Sequence, residues 1–292
     1  MQTIAIVGQG DMGSAVAAAF IAGGHRVITD LSGRSAHTRR LSAAAGSEDL
    51  GSGEALVREA DMVLSILPPA QADGFATYVL QTMAAVGRRP LYVECNAIAP
   101  ASLQKIAARF AAADAPFLDV GIVGPAPRPE RRLPTRFYVA GADRQRLLDL
   151  RLPTLRWVDM GAELGRASAI KMAYASLNKG VDALLTAVLL MADSLGVREE
   201  FMNEVDQSQE EAARRMRQRV PYLAATAARY VGEMREIAAT YRDAGVTPLF
   251  HEGAEWLYAQ LAKSPLAQET RATLPEQRSL DEALAAFRAA GR

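Results

Sequence analysis

Thr3-Ile4-Ala5-Ile6-Val7-Gly8-Gln9-Gly10-Asp11-Met12-Gly13-Ser14-Ala15-Val16-Ala17-Ala18-Ala19-Phe20 passes from an apolar run through three glycines into small helix-forming residues. The opening five residues predict a strand and the closing seven a helix. The glycines fit G-x-G-x-x-G. That pattern alone is weak, because glycine supplies 22 of the 292 residues. Placement between a strand and a helix makes it specific, since each glycine then has a task. Gly8 permits the tight turn, Gly10 removes a side chain that would block a pyrophosphate, and Gly13 allows close helix–strand packing. Gln9, Asp11 and Met12 complete the turn. A diphosphate would lie against free N–H groups at the positive end of the helix dipole.

A second predicted strand, residues 26–29, ends at Asp30, about 20 residues on, where a ribose-binding carboxylate is expected. Asp30 would accept hydrogen bonds from ribose hydroxyls and repel a 2′-phosphate, which favours NAD. Leu31-Ser32-Gly33-Arg34 follows at once, and Arg34 offers a cation for the extra phosphate of NADP. NAD or NADP is therefore the expected cofactor, with NAD slightly favoured. Arg39 and Arg40 read as solvated helix charges.

Strand-like runs at 3–7, 26–29, 62–67, 91–94, 117–120 and 136–140 alternate with helical patterns, among them 14–22, 54–59, 70–86 and 101–112. Alternation with few hairpin signals predicts a doubly wound parallel sheet. Beyond Gly161 strand signals cease, and the pattern predicts helices at 166–195, 199–213, 221–244, 247–261 and 280–290. The expected architecture is α/β: a Rossmann domain over 1–162 and an all-helical substrate and dimerisation domain over 163–292, joined at or within the long helix.

Composition narrows the function classes. Lys plus Arg and Asp plus Glu number 33 each, so no basic field draws nucleic acid or an anionic membrane. One cysteine, Cys95, excludes an internal disulfide and a cysteine-based zinc site, and His25, His37 and His251 lack ligand spacing; no metal is expected. There is no basic-then-apolar leader, and the apolar stretch at 181–192 is shorter than a bilayer span. A soluble cytoplasmic protein is expected.

The long helix carries a second informative pattern. At ~100° per residue, Ile170, Ala173, Leu177, Val181, Leu184 and Val188 form one apolar face. Lys171, Asn178 and Asp182 form a narrow polar stripe with Ala175 between them and Tyr174 at its edge. Most lysines on such helices only snorkel to solvent. Beside a nicotinamide, however, oxidation of an alcohol needs a proton acceptor at the oxygen, and a lysine with a pKa lowered by burial serves near neutral pH.

These stretches resemble the β-hydroxyacid dehydrogenase superfamily, which includes 3-hydroxyisobutyrate and 6-phosphogluconate dehydrogenases. The resemblance rests on the Gly8–Gly13 turn with 22–27, on Asp119-Val120-Gly121-Ile122-Val123-Gly124-Pro125 (written D-A-P-V-S-G-G in the family), and on Gly161 to Lys171. Leu67-Pro68-Pro69 matches a loop bordering the cofactor, and residues 94–100 replace D-x-S-T-x-S-P. Trp256 and residues 233–237 resemble a subgroup with a 6-phosphogluconate-dehydrogenase-like C-terminal domain of unassigned role.

The resemblance implies an NAD(P)-dependent oxidoreductase that interconverts a small hydroxyacid, or a related hydroxy compound, and its carbonyl. Lys171 would be the general acid/base, and two copies would form a homodimer. The asparagine expected four residues after the lysine is Ala175, so Tyr174 and Asn178 become candidates for its role. Proline and serine are replaced by Gly121 and Val123, leaving backbone N–H groups of Ile122, Val123 and Gly124 to meet a substrate anion. Asn96 is a candidate for cofactor and substrate contact. Arg128, Arg131, Arg132 and Arg136 follow in a Pro-rich loop and read first as solvated charges. Two alternatives are an imine reductase, whose relatives lack the lysine, and a non-catalytic NAD(P) sensor.

Overall fold

The computed structural model describes residues 1–270 and 273–290. Eight strands form one sheet: β1 (Thr3–Val7), β2 (Arg26–Thr29), β3 (Glu48–Asp49), β4 (Met62–Ser65), β5 (Leu91–Glu94), β6 (Phe117–Val123), β7 (Thr135–Ala140) and β8 (Leu155–Asp159). Their order is β3-β2-β1-β4-β5-β6-β7-β8, and all neighbours are parallel except β6 and β7. The first six positions follow the Rossmann order of a dinucleotide-binding sheet.

Between the strands lie α1 (Asp11–Ala22), α2 (Ala36–Ala45), α3 (Gly53–Glu59), α4 (Pro69–Val86), α5 (Pro100–Ala112) and α6 (Gln145–Leu148). Alternation along each buried strand feeds two cores. Ile4 and Ile6 pack with Val16 and Phe20 of α1 on one face. Ala5 and Val7 share the opposite core with side chains of α3, α4 and α5, including Leu103 and Phe110. Both faces are covered, as a parallel sheet requires.

Three features differ from the sequence expectation. Strand β6 runs to Val123 instead of stopping at 120, because β7 returns antiparallel and pairs Val123 with Arg136. The Arg- and Pro-rich loop between them carries no short hairpin signal. Strands β3 and β8 were not expected: β3 is only two acidic residues, and β8 mixes charge with apolar positions.

The second half is helical: α7 (Arg166–Ser194), α8 (Arg198–Ser208), α9 (Glu210–Arg219), α10 (Ala224–Asp243), α11 (Leu249–Leu261) and α12 (Leu280–Ala290). The helix expected over 199–213 is two helices, broken at Gln209, whose φ −144° and ψ 56° leave the helical region. The chain divides into two compact units, Met1–Met172 and Ala173–Arg292, and the division falls within α7.

Helix α7 overturns the expected orientation of its faces. Leu177 and Leu184 are both 63% exposed, whereas Asp182 is fully buried. Asp182 is compensated by Arg215 Nε at 2.7 Å and Arg219 at 3.1 Å. Arg215 also donates to the Asn178 carbonyl at 2.6 Å. The buried side of this segment is otherwise small or slim: Ala175, Ser176, Ala183 and Thr186. By length and composition alone α7 could cross a membrane, with mean hydropathy 1.3 over 18 of its 29 residues, a correction to the shorter apolar run expected. An aspartate held by two arginines marks that segment as packed against protein.

Candidate active site

The phosphate turn starts where β1 ends. Gly8 has φ +97°, and a Cβ there would lie 2.1 Å from the Ile66 carbonyl oxygen. A Cβ on Gly13 would lie 2.0 Å from the Gly8 carbonyl oxygen, so both positions require glycine. Gly10 is different: no atom lies within 4 Å of its would-be Cβ. It is the N-cap of α1 and provides no side-chain cap, so the first-turn amides face open space. That uncapped, unobstructed helix start fits a dinucleotide pyrophosphate. Gln9 turns inward and donates to the Ile6 carbonyl at 3.0 Å, bracing the turn.

Strand β2 delivers Asp30 at the same edge. Its carboxylate accepts from Ser32 N at 2.9 Å, while Asp49 accepts from Leu31 N at 3.0 Å. Arg34 is half-buried in this loop. Arg39, expected to be a solvated charge, is exposed and also reaches back to donate to the Leu31 carbonyl at 2.6 Å. The loop that would meet the adenosine ribose is thereby tied at both ends.

Leu67 and Pro68 follow β4, with Leu67 Cδ2 only 3.2 Å from the would-be Cβ of Gly8. Asn96 holds them there. It is 3% exposed; its Oδ1 accepts from Leu67 N, and its Nδ2 donates to Ser65 Oγ at 2.8 Å. The candidate contact residue is thus a clamp between the ends of β4 and β5, with its amide oxygen turned to Leu67.

Helix α7 brings Lys171 to the end of β5. Its half-buried side chain donates from Nζ to the Cys95 carbonyl oxygen at 2.8 Å. Two residues of β6 fix this approach. Asp119, fully buried, accepts from Gly165 N, Ala167 N and Ser168 N at 2.9–3.1 Å and from Ser168 Oγ at 2.7 Å. Burial pushes its carboxyl up, opposed by those hydrogen bonds, which favour the carboxylate. Gly121 supplies the space: a Cβ there would lie 2.3 Å from the Ala167 carbonyl oxygen and 3.3 Å from Lys171 Cβ. The glycine at this departure from the family pattern therefore seats the lysine helix.

Ile122 and Val123 are buried within β6 and paired with Phe137 and Arg136. In an antiparallel ladder alternate residues bond across, so β7 takes the N–H of only one of Ile122 and Val123, while β5 pairing has already ended at Asp119. Only Gly124, exposed with φ +113°, stands beyond the strand. In the helical unit, Tyr174 is 47% exposed, Ala175 is buried, and Asn178 Nδ2 donates to the Tyr174 carbonyl at 3.0 Å.

Glu94 escaped the sequence reading. It is 1% exposed and accepts from Asn96 N at 2.8 Å and Tyr92 OH at 3.2 Å. Burial pushes its pKa up to about 8, against the opposing pull of the Asn96 and Tyr92 hydrogen bonds and Lys171. The signal was available: a carboxylate closing the apolar strand Leu91-Tyr92-Val93. Its neighbour Cys95 is a buried thiol whose ionisation burial disfavours.

Residues 3–144 match the NAD binding domain of 6-phosphogluconate dehydrogenase, and residues 192–261 match a domain of unknown function, DUF1932. The conserved protein MTH1747, described as structurally similar to 3-hydroxyacid dehydrogenases, aligns with TM-score 0.63 at 25% identity over 89% of this chain and 96% of its own. The 3-hydroxyisobutyrate dehydrogenase of Mycobacterium tuberculosis, solved with L-serine, aligns with TM-score 0.66 at 19% identity over 99% of each chain. An imine reductase of Streptomyces aurantiacus aligns with TM-score 0.52 at 20% identity, over 89% of this chain and 94% of its own.

Proposed function

We propose that this chain, which joins a 6-phosphogluconate-dehydrogenase-type NAD binding domain to a DUF1932 domain, is a cytoplasmic NAD(P)-dependent oxidoreductase acting on a small hydroxyacid or related hydroxy compound. The observation that carries the proposal is Lys171 Nζ, held 2.8 Å from the Cys95 carbonyl at the end of β5. The Gly8–Gly13 turn leaves the end of β1 at the same carboxyl edge of the sheet, where open α/β sheets take their ligands.

A bound nicotinamide dinucleotide supplies the hydride acceptor in oxidation and the donor in reduction. Gly8 to Gly13 hold its diphosphate, and Asp30, Leu31, Ser32 and Arg34 border its ribose, with Asp30 favouring NAD. Leu67 and Pro68 border the cofactor, clamped by Asn96. Lys171 takes the hydroxyl proton as the alcohol becomes a carbonyl and returns it in the reverse direction. Gly124 caps the substrate segment after Ile122 and Val123. Tyr174 and Asn178 are assigned to the substrate role that Ala175 cannot fill.

The second copy of a homodimer would cover the apolar stripe Leu177, Leu184, Met191 and Leu195, each 56–69% exposed. With Val181 and Val188 between them, these residues recur at alternating three- and four-residue spacing, the pattern of a helix–helix seam.

The test is a reduction screen of carbonyl compounds, β-keto acids and imines with NADH and NADPH, read at the nicotinamide absorbance. With an identified carbonyl substrate, Lys171→Met should lower kcat/KM by ~10²–10⁴-fold and leave dinucleotide affinity unchanged. Unchanged turnover overturns the lysine mechanism, and turnover of imines alone favours the imine reductase. Tight dinucleotide binding with no substrate favours the sensor. NADPH binding about tenfold tighter than NADH reverses the cofactor preference.

A further inference from the structure

We propose that Arg136 and Arg156 form a subsite for an oxyanion, a phosphate or carboxylate carried by the substrate several bonds from its reacting carbon. The substrate assignment rests on the oxidoreductase reading above; the anion site itself does not. The four arginines noted in the sequence separate in the structure. Arg128 pairs with Glu130 at 3.8 Å, and Arg131 donates to the Ala126 carbonyl at 3.1 Å. Arg136 instead acquires a neighbour from β8, since Arg136 and Arg156 are directly paired in register.

Two guanidinium groups side by side on neighbouring strands repel each other. Neither makes an ion pair with a carboxylate among the described residues, and both are exposed. By contrast, Arg144 nearby in sequence meets Asp159 at 2.7 Å. The alternation of the strands explains the shape of the site. Phe137, Val139, Leu155 and Trp157 pack into the core on one face. Arg136, Tyr138, Arg156 and Val158 consequently share the other. With Leu133 and Pro134 they line a groove of about 340 Å³. A groove with apolar walls and two forked cations is suited to a tetrahedral or planar oxyanion on an organic chain.

Its position links it to the proposed chemistry. The carboxyl end of β6 carries Val123, and antiparallel pairing sets the start of β7 beside it at Arg136. Strand β8 is parallel to β7, so Arg156 lies at that edge too. On the other side of β6, the end of β5 offers the Cys95 carbonyl to Lys171. Neighbouring strands are ~4.8 Å apart and rise ~3.3 Å per residue. Val123, the partner of Arg136, lies four residues beyond Asp119, the partner of Glu94. Arg136 is therefore offset from the end of β5 by ~10 Å across the sheet and ~13 Å along it, a gap that the long lysine and arginine side chains shorten. A substrate whose hydroxyl lies at Lys171 therefore reaches the arginines with an anionic group several bonds away.

The test is calorimetric titration of inorganic phosphate and, separately, acetate into the full chain, with and without saturating NADH. The NADH arm removes any contribution from phosphate bound at the Gly8–Gly13 turn. Saturable binding that persists with NADH and falls about tenfold or more in the Arg136→Ala/Arg156→Ala double variant supports the site. Partial recovery in the Arg136→Lys/Arg156→Lys variant supports recognition by charge and fork together. Phosphate binding tighter than acetate identifies a phosphoryl group, and the reverse order a carboxylate. Unchanged melting and NADH affinity establish that the variants fold. Affinity for both anions within twofold of the native chain in the double-alanine variant overturns the proposal, as does absence of saturable binding by the native chain. Loss of anion binding in the variant with no oxidoreductase substrate found refutes the activity and keeps the site. Turnover of an anionic substrate with KM unmoved by the double variant keeps the activity and overturns the assignment of these arginines to its substrate.

Discussion

Strand β1 and helix α7 are both predominantly apolar, yet they treat their apolar side chains in opposite ways. In β1, Ile4, Ala5, Ile6 and Val7 are at most 3% exposed, because β2, β4 and helices on both faces cover them. In α7, Leu177 and Leu184 are 63% exposed while Asp182 is fully buried. Hydrophobicity sets which side chains seek cover; it does not say that the cover is in the same chain. What α7 buries within its own unit is Leu189, a set of small side chains and the Asp182 that two arginines meet.

The widest effect is expected at the exposed stripe. Replacing both Leu177 and Leu184 by Asp should convert a dimer into monomers by light scattering, because each buried leucine contributes roughly 1.5–3 kcal/mol. A native chain that is monomeric at micromolar concentration would remove this explanation of the stripe. The buried side is tested next by Asp182→Ala. Loss of the shared carboxylate should cost about 3 kcal/mol in denaturant unfolding, the low end for a broken buried pair because Arg215 and Arg219 reach solvent. A change below about 0.5 kcal/mol, the range of ordinary surface substitutions, would show that the ion pairs do not choose the buried face.

A smaller, pH-dependent effect separates the buried acid of β5 from that of α7. The folded pKa of Glu94 is raised from 4.5 to about 8. Between those values the folded chain keeps a proton that the unfolded chain releases, so Glu94 makes stability fall as pH rises. Its contribution is fully present below the unfolded pKa and is lost as pH rises through the folded one. Comparing pH 6 with pH 8, Glu94→Gln should remove a decline of about 1 kcal/mol per pH unit. Parallel pH–stability curves for the native chain and the variant would contradict this assignment.

The turn at Gly8–Gly13 was legible because local spacing determines it: a strand, a tight turn and a helix start. The β/α alternation was legible for the same reason. Lys171 stood out through the family resemblance, since helix spacing alone reads it as a residue snorkelling to solvent. What the sequence did not disclose depends on partners distant along the chain. Asn96 looks like a ligand-binding side chain until Leu67 and Ser65 occupy it. Gly121 looks like a loss until the Ala167 carbonyl is seen against it. The extension of β6 depends on β7, which returns only after an eleven-residue loop, 124–134. The orientation of α7 depends on Arg215 and Arg219, more than 30 residues away.

The reversal at β7 has a consequence for how such a protein diversifies. Loop 124–134 leaves and re-enters the sheet at one edge, so its length and composition can change without altering the order of the strands. Asp119 and Gly121 lie upstream in β6 and continue to seat the Lys171 helix whatever the loop becomes. Selection can therefore remodel that loop while the seat of the Lys171 helix is inherited unchanged.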